Sequence, residues 1–300
     1  MNMSQSISST NIKSALAPNP IISSQNNEQK SSLGDFIQET LALTQRLFIQ
    51  VQRRPSSVMA GVIQPFMWLI LFGALFSKAP SGLFGNDLSY AKFLAPGIIV
   101  FTAFSGALNA GLPVMFDREF GFLNRLLVAP LSTRYSIVAA STIYIIALSF
   151  IQTAVIIGAS AFLGASLPGI AGLSAIALIV FLIVLGVTAL SLGLAFALPG
   201  HIELIAVIFV TNLPLLFAST ALAPLEFMAG WLQVVASLNP LTYAIEPIRY
   251  IYSHADWAIN SIVLNTPWLD FSFGSVILVL LAFDALILLA IQPLLRRRLV

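Results

Sequence analysis

Long apolar runs separated by short polar breaks dominate this chain from residue 58 onward. Six stretches meet the ~20 residues that a helix needs to cross the hydrocarbon core of a bilayer: 58–76, 93–116, 137–163, 170–198, 202–222 and 275–295. Pro168-Gly169 divides the third from the fourth, and Pro199-Gly200 the fourth from the fifth, as helix breakers do. These runs far exceed the ~10 residues of a barrel strand and do not alternate, which excludes strands as the spanning elements. The expected fold class is an all-α polytopic membrane protein with six transmembrane helices.

Two segments precede the spans. Residues 1–32 are rich in Ser, Asn and Gln and carry no aromatic residue. So little apolar surface cannot offset the entropy of ordering, and a disordered tail is expected. Over residues 33–54 the pattern changes. Phe36, Ile37, Leu41, Leu43, Leu47, Phe48 and Val51 recur near the helical period, with Gln45, Arg46, Gln50, Arg53 and Arg54 between them. That pattern predicts an amphipathic helix lying in the headgroup region, ended or turned by Pro55. Residues 33–300 thus form one transmembrane domain.

Between the fifth and sixth runs, residues 223–254 are too apolar for a free loop, yet Pro224, Pro240 and Pro247 cut them into pieces too short to span. Two short helices dipping into the outer leaflet and returning are expected, since irregular backbone at membrane depth must pack on protein. Asn239 before Pro240 has the position of a helix cap. Glu246 and Arg249, three apart, can pair on one helical face. The pair either holds this hairpin together or contacts cargo directly.

Composition confirms the bilayer as solvent: 58% of residues are hydrophobic, 9% are charged and mean hydropathy is +0.94, against roughly 25% charged in soluble domains. A net charge of +2 gives no reason to expect a nucleic-acid partner. No cysteine is present, which removes disulfides, thiolate metal sites and cysteine nucleophiles. Charge placement sets orientation. With the N-terminus inside and six crossings, 11 of the 14 Lys and Arg residues fall in the cytoplasm, and 3 (Lys78, Lys92 and Arg249) fall outside. Both termini are therefore expected to be cytoplasmic, in the cell (inner or plasma) membrane.

The most charged stretch follows the second run, from Phe116 to Arg134. Asp117, Arg118, Glu119 and Arg125 stand beside Phe120, Gly121, Phe122 and Leu123, and a short amphipathic cytoplasmic helix ending near Pro130 is expected. Topology alone requires only the arginines. Acids and aromatics packed among them suit a surface that docks a soluble partner. Within the spans, Gln64, Asn109, Gln152, Asn212 and Asp284 are polar. They either line a pathway or make interhelical hydrogen bonds worth ~0.6 kcal/mol each. A charge at Asp284, near the middle of the last span, is costly, so it is expected to be protonated or paired. The small-residue pairs Gly106/Ala110 and Ala189/Gly193/Ala197 permit close helix approach.

Three stretches carry a family resemblance: FLAPGIIVFTAFSGA from Phe93, MFDREFGFLNRLLVAPLSTR from Met115 and ASLNPLTYAIEPIRY from Ala236. In these the chain resembles the permease subunits of ABC-2 type exporters, the group that includes the daunorubicin-resistance permeases and the nodulation and polysaccharide exporters. The resemblance covers about residues 33–300. It implies a first cytoplasmic loop that contacts an ATPase, a homodimer or paired permease, and helices one, two and five beside the pathway. Gln64, Asn109 and Asn212 then become candidate lining residues.

The chain has no G-x-x-x-x-G-K-[ST] loop, so it is not expected to hydrolyse ATP. ATP and magnesium belong on a partner subunit. No metal site is expected either, with His201 and His254 standing alone. A secondary transporter or channel would more often show an internal repeat and several intramembrane acids. A non-transporting scaffold would not need the mixed-charge loop. The expected cargo is a lipid, a drug or a lipid-linked glycan.

Overall fold

Helix α1 (Leu33–Arg53) lies along the bundle and buries Thr40 and Thr44 against the helix of residues Tyr135–Phe162, while Leu33, Ile37 and Leu41 stay exposed on its opposite face. The computed structural model describes residues 33–53, 55–76, 90–122, 135–254 and 256–299. The tail expected over residues 1–32 lies outside them, as do Leu123 and Arg125. The remaining elements are α2 (Pro55–Leu75), α3 (Tyr90–Leu108), α4 (Gly111–Glu119), α5 (Tyr135–Phe162), α6 (Ile170–Ala197) and α7 (His201–Phe217). They continue with α8 (Gly230–Leu238), α9 (Pro240–Ser253), strands β1 (Ile262–Asn265) and β2 (Asp270–Ser272), and α10 (Phe273–Leu299).

Five stretches are long and apolar enough to cross a membrane: Val58–Leu75, Lys92–Glu119, Tyr135–Phe162, Ile170–Ala197 and Phe273–Leu294. The run expected at 202–222 instead forms the shorter apolar helix α7, of 17 residues. Helices α3 and α6 make the centre, with Phe93, Leu94, Ile98, Phe101, Ile179 and Ile183 fully buried. Helix α2 is apolar all round yet mostly uncovered by protein, a composition stable only if lipid surrounds it.

Two features depart from the sequence pattern. A small antiparallel hairpin joins β1 to β2 before α10, a minor departure from an all-α chain. The second run, expected as one helix over 93–116, is two helices broken at Asn109-Ala110. Ser191 of α6 fills the break. Its hydroxyl donates to the Leu108 carbonyl at 2.6 Å and accepts from the Gly111 amide at 2.9 Å, so the groups freed by the break keep partners in a medium that offers none. Glycine is required at 111, because a Cβ there would stand 2.4 Å from the Ser191 carbonyl oxygen.

Ser191→Ala should strip both groups of their partner and destabilise the fold by about 1–3 kcal/mol. Thermal unfolding in detergent checks this. A melting temperature equal to that of the unmodified chain would mean the break is held by something else.

Candidate functional site

The end of α4 meets the turn between α6 and α7. Helix α6 ends at Ala197, with Leu198 as its cap before Pro199, and α7 starts at His201. The guanidinium of Arg118 donates to the carbonyls of Ala195 (2.8 Å), Leu198 (2.6 Å) and Pro199 (2.6 Å). A cation thus caps the negative end of the α6 dipole. The next residue does the opposite. Glu119 accepts from the His201 amide at 2.6 Å and lies 2.5 Å from its Nδ1, placing an anion at the positive end of α7. Arg118 and Glu119, expected on a docking surface, are both engaged inside the chain.

Their neighbours extend this elbow. Asp117 pairs with Arg46 of α1 at 3.5 Å, and Arg46 also lies 4.0 Å over the ring of Phe122. Phe116 stacks on Phe120 and tilts against His201. Gly121 turns the chain at φ +74°, a left-handed conformation that glycine adopts without strain. Phe120 is 78% exposed, a large apolar surface beside the charged elbow.

Above the elbow lies a cleft of about 540 Å³ between α2, the α3–α4 break, α5 and α7. It brings together Gln64, Asn109 and Asn212, which are distant in sequence, and adds Gln152. Asn109 donates to the Ser105 carbonyl at 2.7 Å, and Asn212 to the Ser105 hydroxyl at 2.9 Å. Gln152 stood out in the sequence only as one polar residue within a span. Its signal was a helical stripe: Ser141, Ile145, Ser149, Gln152, Ile156 and Ser160 are the buried face of α5. Gly106, read as a helix-contact residue, faces Gln152, whereas Gly193 meets Ile291 of α10.

At the opposite end, Asn239 caps α9 by accepting from the Leu241 amide at 3.0 Å, with Pro240 at the first helical position. Its amide donates to the Leu215 and Ala218 carbonyls at 2.7 and 2.6 Å, tying α9 to the end of α7. Arg249 is buried. It pairs with Glu246, donates to the Thr220 carbonyl at 2.5 Å and lies 3.9 Å over the ring of Phe93. Asp284 sits away from the cleft, buried against Gly186, where neither carboxyl oxygen has a hydrogen-bond partner among the described residues.

Bundle, elbow and polar cleft together describe a membrane transport protein, and comparison with known proteins places it. The chain belongs to the ABC-2 type transporter family, whose model matches residues 38–253. It is 56% identical over 265 residues to a Porphyra purpurea protein bearing the name transport permease ycf38, covering 88% of this chain and 91% of that one. The protein of the same name from Cyanophora paradoxa is 52% identical over 265 residues, with the same coverage. A more distant relative, 24% identical over 249 residues (81% of this chain, 85% of the relative), is a Mycobacterium tuberculosis protein named as a doxorubicin resistance ABC transporter permease, DrrC. The chain is thus an integral membrane permease of this family.

Arg249→Met should destabilise the fold by about 3 kcal/mol, because the half-buried Glu246 is left without its partner. The double variant Glu246→Gln/Arg249→Met should recover part of that loss. Melting of the two variants side by side tests the pair, and equal melting temperatures would contradict the assignment.

Proposed function

We propose that the chain is the membrane subunit of an ATP-driven exporter, energised by a separate ABC ATPase that carries ATP and magnesium. The observation that carries this reading is the elbow. Asp117, Arg118 and Glu119 join α4 to α1, to the end of α6 and to the start of α7, so a push on the exposed Phe120 reaches the helices that wall the cleft. The name of the DrrC relative as an ABC transporter permease favours an ATPase partner. Two states of the pathway must differ in their contact with that partner for ATP to bias them.

In this reading α7 is the sixth crossing. Helix α1 lies in the inner headgroup layer with Leu33, Ile37 and Leu41 toward lipid, and α8–α9 form the outer re-entrant hairpin. The bias of Lys and Arg supports cytoplasmic termini in the cell membrane. Two copies, or this chain and a related permease, face each other across the cleft. Helices α2 and α7 flank its mouth with exposed apolar residues, among them Met59, Ile63, Phe209 and Val210. An amphipathic cargo then enters from the inner leaflet.

Affinity purification of the tagged chain from its native membrane tests this. A phosphate-loop ATPase should copurify. Phe120→Glu should lose that subunit while keeping a normal melting temperature. Arg118→Gln should keep it yet lose ATP-driven export in reconstituted vesicles. Transport by the chain alone, without nucleotide, would overturn the proposal.

A further inference from the structure

Resting on the reading of α8–α9 as an outer re-entrant hairpin, we infer that the β1–β2 hairpin is a membrane anchor, its free face laid into the outer headgroup layer with Trp268 and Leu269 at the tip. The hairpin is apolar on both sides. Toward the protein, Leu264 is buried and Phe271 meets the ring of Tyr243 edge-on at 5.3 Å. Strand β1 packs on α9, and β2 on α10. On the other side Ile259, Ile262 and Leu269 are each more than half exposed, and Trp268 nearly half. A hairpin that meets water on one side carries mostly polar residues there. Here four large apolar side chains stand beside Asn265 and Asp270.

Two backbone contacts fix the depth of this face. The first amides of α10, those of Phe273 and Gly274, donate to the carbonyls of Ser261 and Ile259, both at 2.9 Å. The base of the hairpin is therefore level with the first turn of the span Phe273–Leu294. A Cβ at Gly274 would stand 3.0 Å from Cγ2 of Ile259. Gly274, Leu278 and Leu281 share one face of α10 by helical spacing, and both leucines are exposed toward lipid. Ile259 thus covers the head of that lipid-facing stripe, and the free face of the hairpin continues it.

The tip is built for a medium poor in hydrogen-bond partners. The Thr266 amide and hydroxyl donate to the Leu269 carbonyl at 3.0 and 2.6 Å, and the same hydroxyl accepts from the Leu269 amide at 3.1 Å. Pro267 between them has no amide hydrogen to satisfy. Trp268 combines an apolar ring with one N–H, the chemistry enriched at membrane–water interfaces. Residues 256–272 contain Asp256 and Asp270 but no Lys or Arg, so insertion of apolar side chains holds the hairpin, not attraction to anionic lipid.

The test places a nitroxide on single cysteines in the full chain, reconstituted in phosphatidylcholine vesicles, and compares collisions with oxygen and with a water-soluble nickel chelate. At Leu269→Cys, oxygen should exceed nickel severalfold, with the same sign as at Leu278→Cys on the span, and phosphatidylglycerol in the vesicles should change neither. With the label at Asn265→Cys, adding Trp268→Ser and Leu269→Ser should raise nickel collisions severalfold at unchanged melting temperature. A label at Leu238→Cys on α8 reads the re-entrant hairpin separately. If nickel dominates at 269 but not at 238, the anchor is overturned and the re-entrant reading stands. If nickel dominates at both, both fall. Shielding of 269 from both reagents means that protein covers the face, and it overturns the inference, as does an Asn265 label indifferent to the serine pair.

Discussion

Adjacent residues of opposite charge hold the ends of two helices whose dipoles point at them. Arg118 lies on the carbonyl end of α6, and Glu119 on the amide end of α7. Each side chain meets backbone groups that a helix terminus leaves unsatisfied, and each has the sign that the local dipole favours. The turn at Pro199-Gly200 therefore moves with α4. Asp117 adds α1 to the same unit through Arg46. The proposed coupling of an ATPase to the cleft needs such a joint, because a cleft between helices changes shape only if its walls move relative to one another.

The joint lies one short helix beyond the break at Asn109-Ala110, where Asn109 lines the cleft. In lipid, a broken helix persists only where its freed groups find partners, and the Ser191 hydroxyl serves both sides. Helix α6 fills the break, supplies the carbonyls that Arg118 holds and packs along α10.

The long helices were legible because lipid imposes one requirement, an unbroken apolar length, that the sequence displays directly. The cap at Asn239 and the Glu246–Arg249 pair were legible because both act over a few residues. The break in the second span was not. Its Gly111 and Pro113 are ordinary in membrane helices, and what fixes it is a serine 80 positions away in sequence. The shortness of α7 is not visible in the sequence, since residues 218–222 are small or apolar and carry no charge but turn to pack under Arg249. The engagement of Arg118 and Glu119 inside the chain depends on a turn that folding alone brings near. Gln64, Asn109 and Asn212 were chosen through family resemblance. For Gln152 both readings stay open in the sequence, because nothing local tells a buried polar stripe that faces a cleft from one that faces a neighbouring helix.

The chain has no cysteine, so a single cysteine introduced at Asn109 reports on the cleft without background. The most direct measurement is its rate of modification by a membrane-impermeant thiosulfonate from the cytoplasmic side, in the complex with its ATPase. The account predicts rapid labelling without nucleotide and strong protection when ATP hydrolysis is arrested with vanadate. Equal rates in the two states, or no labelling in either, would contradict a pathway that opens and closes at the driven elbow.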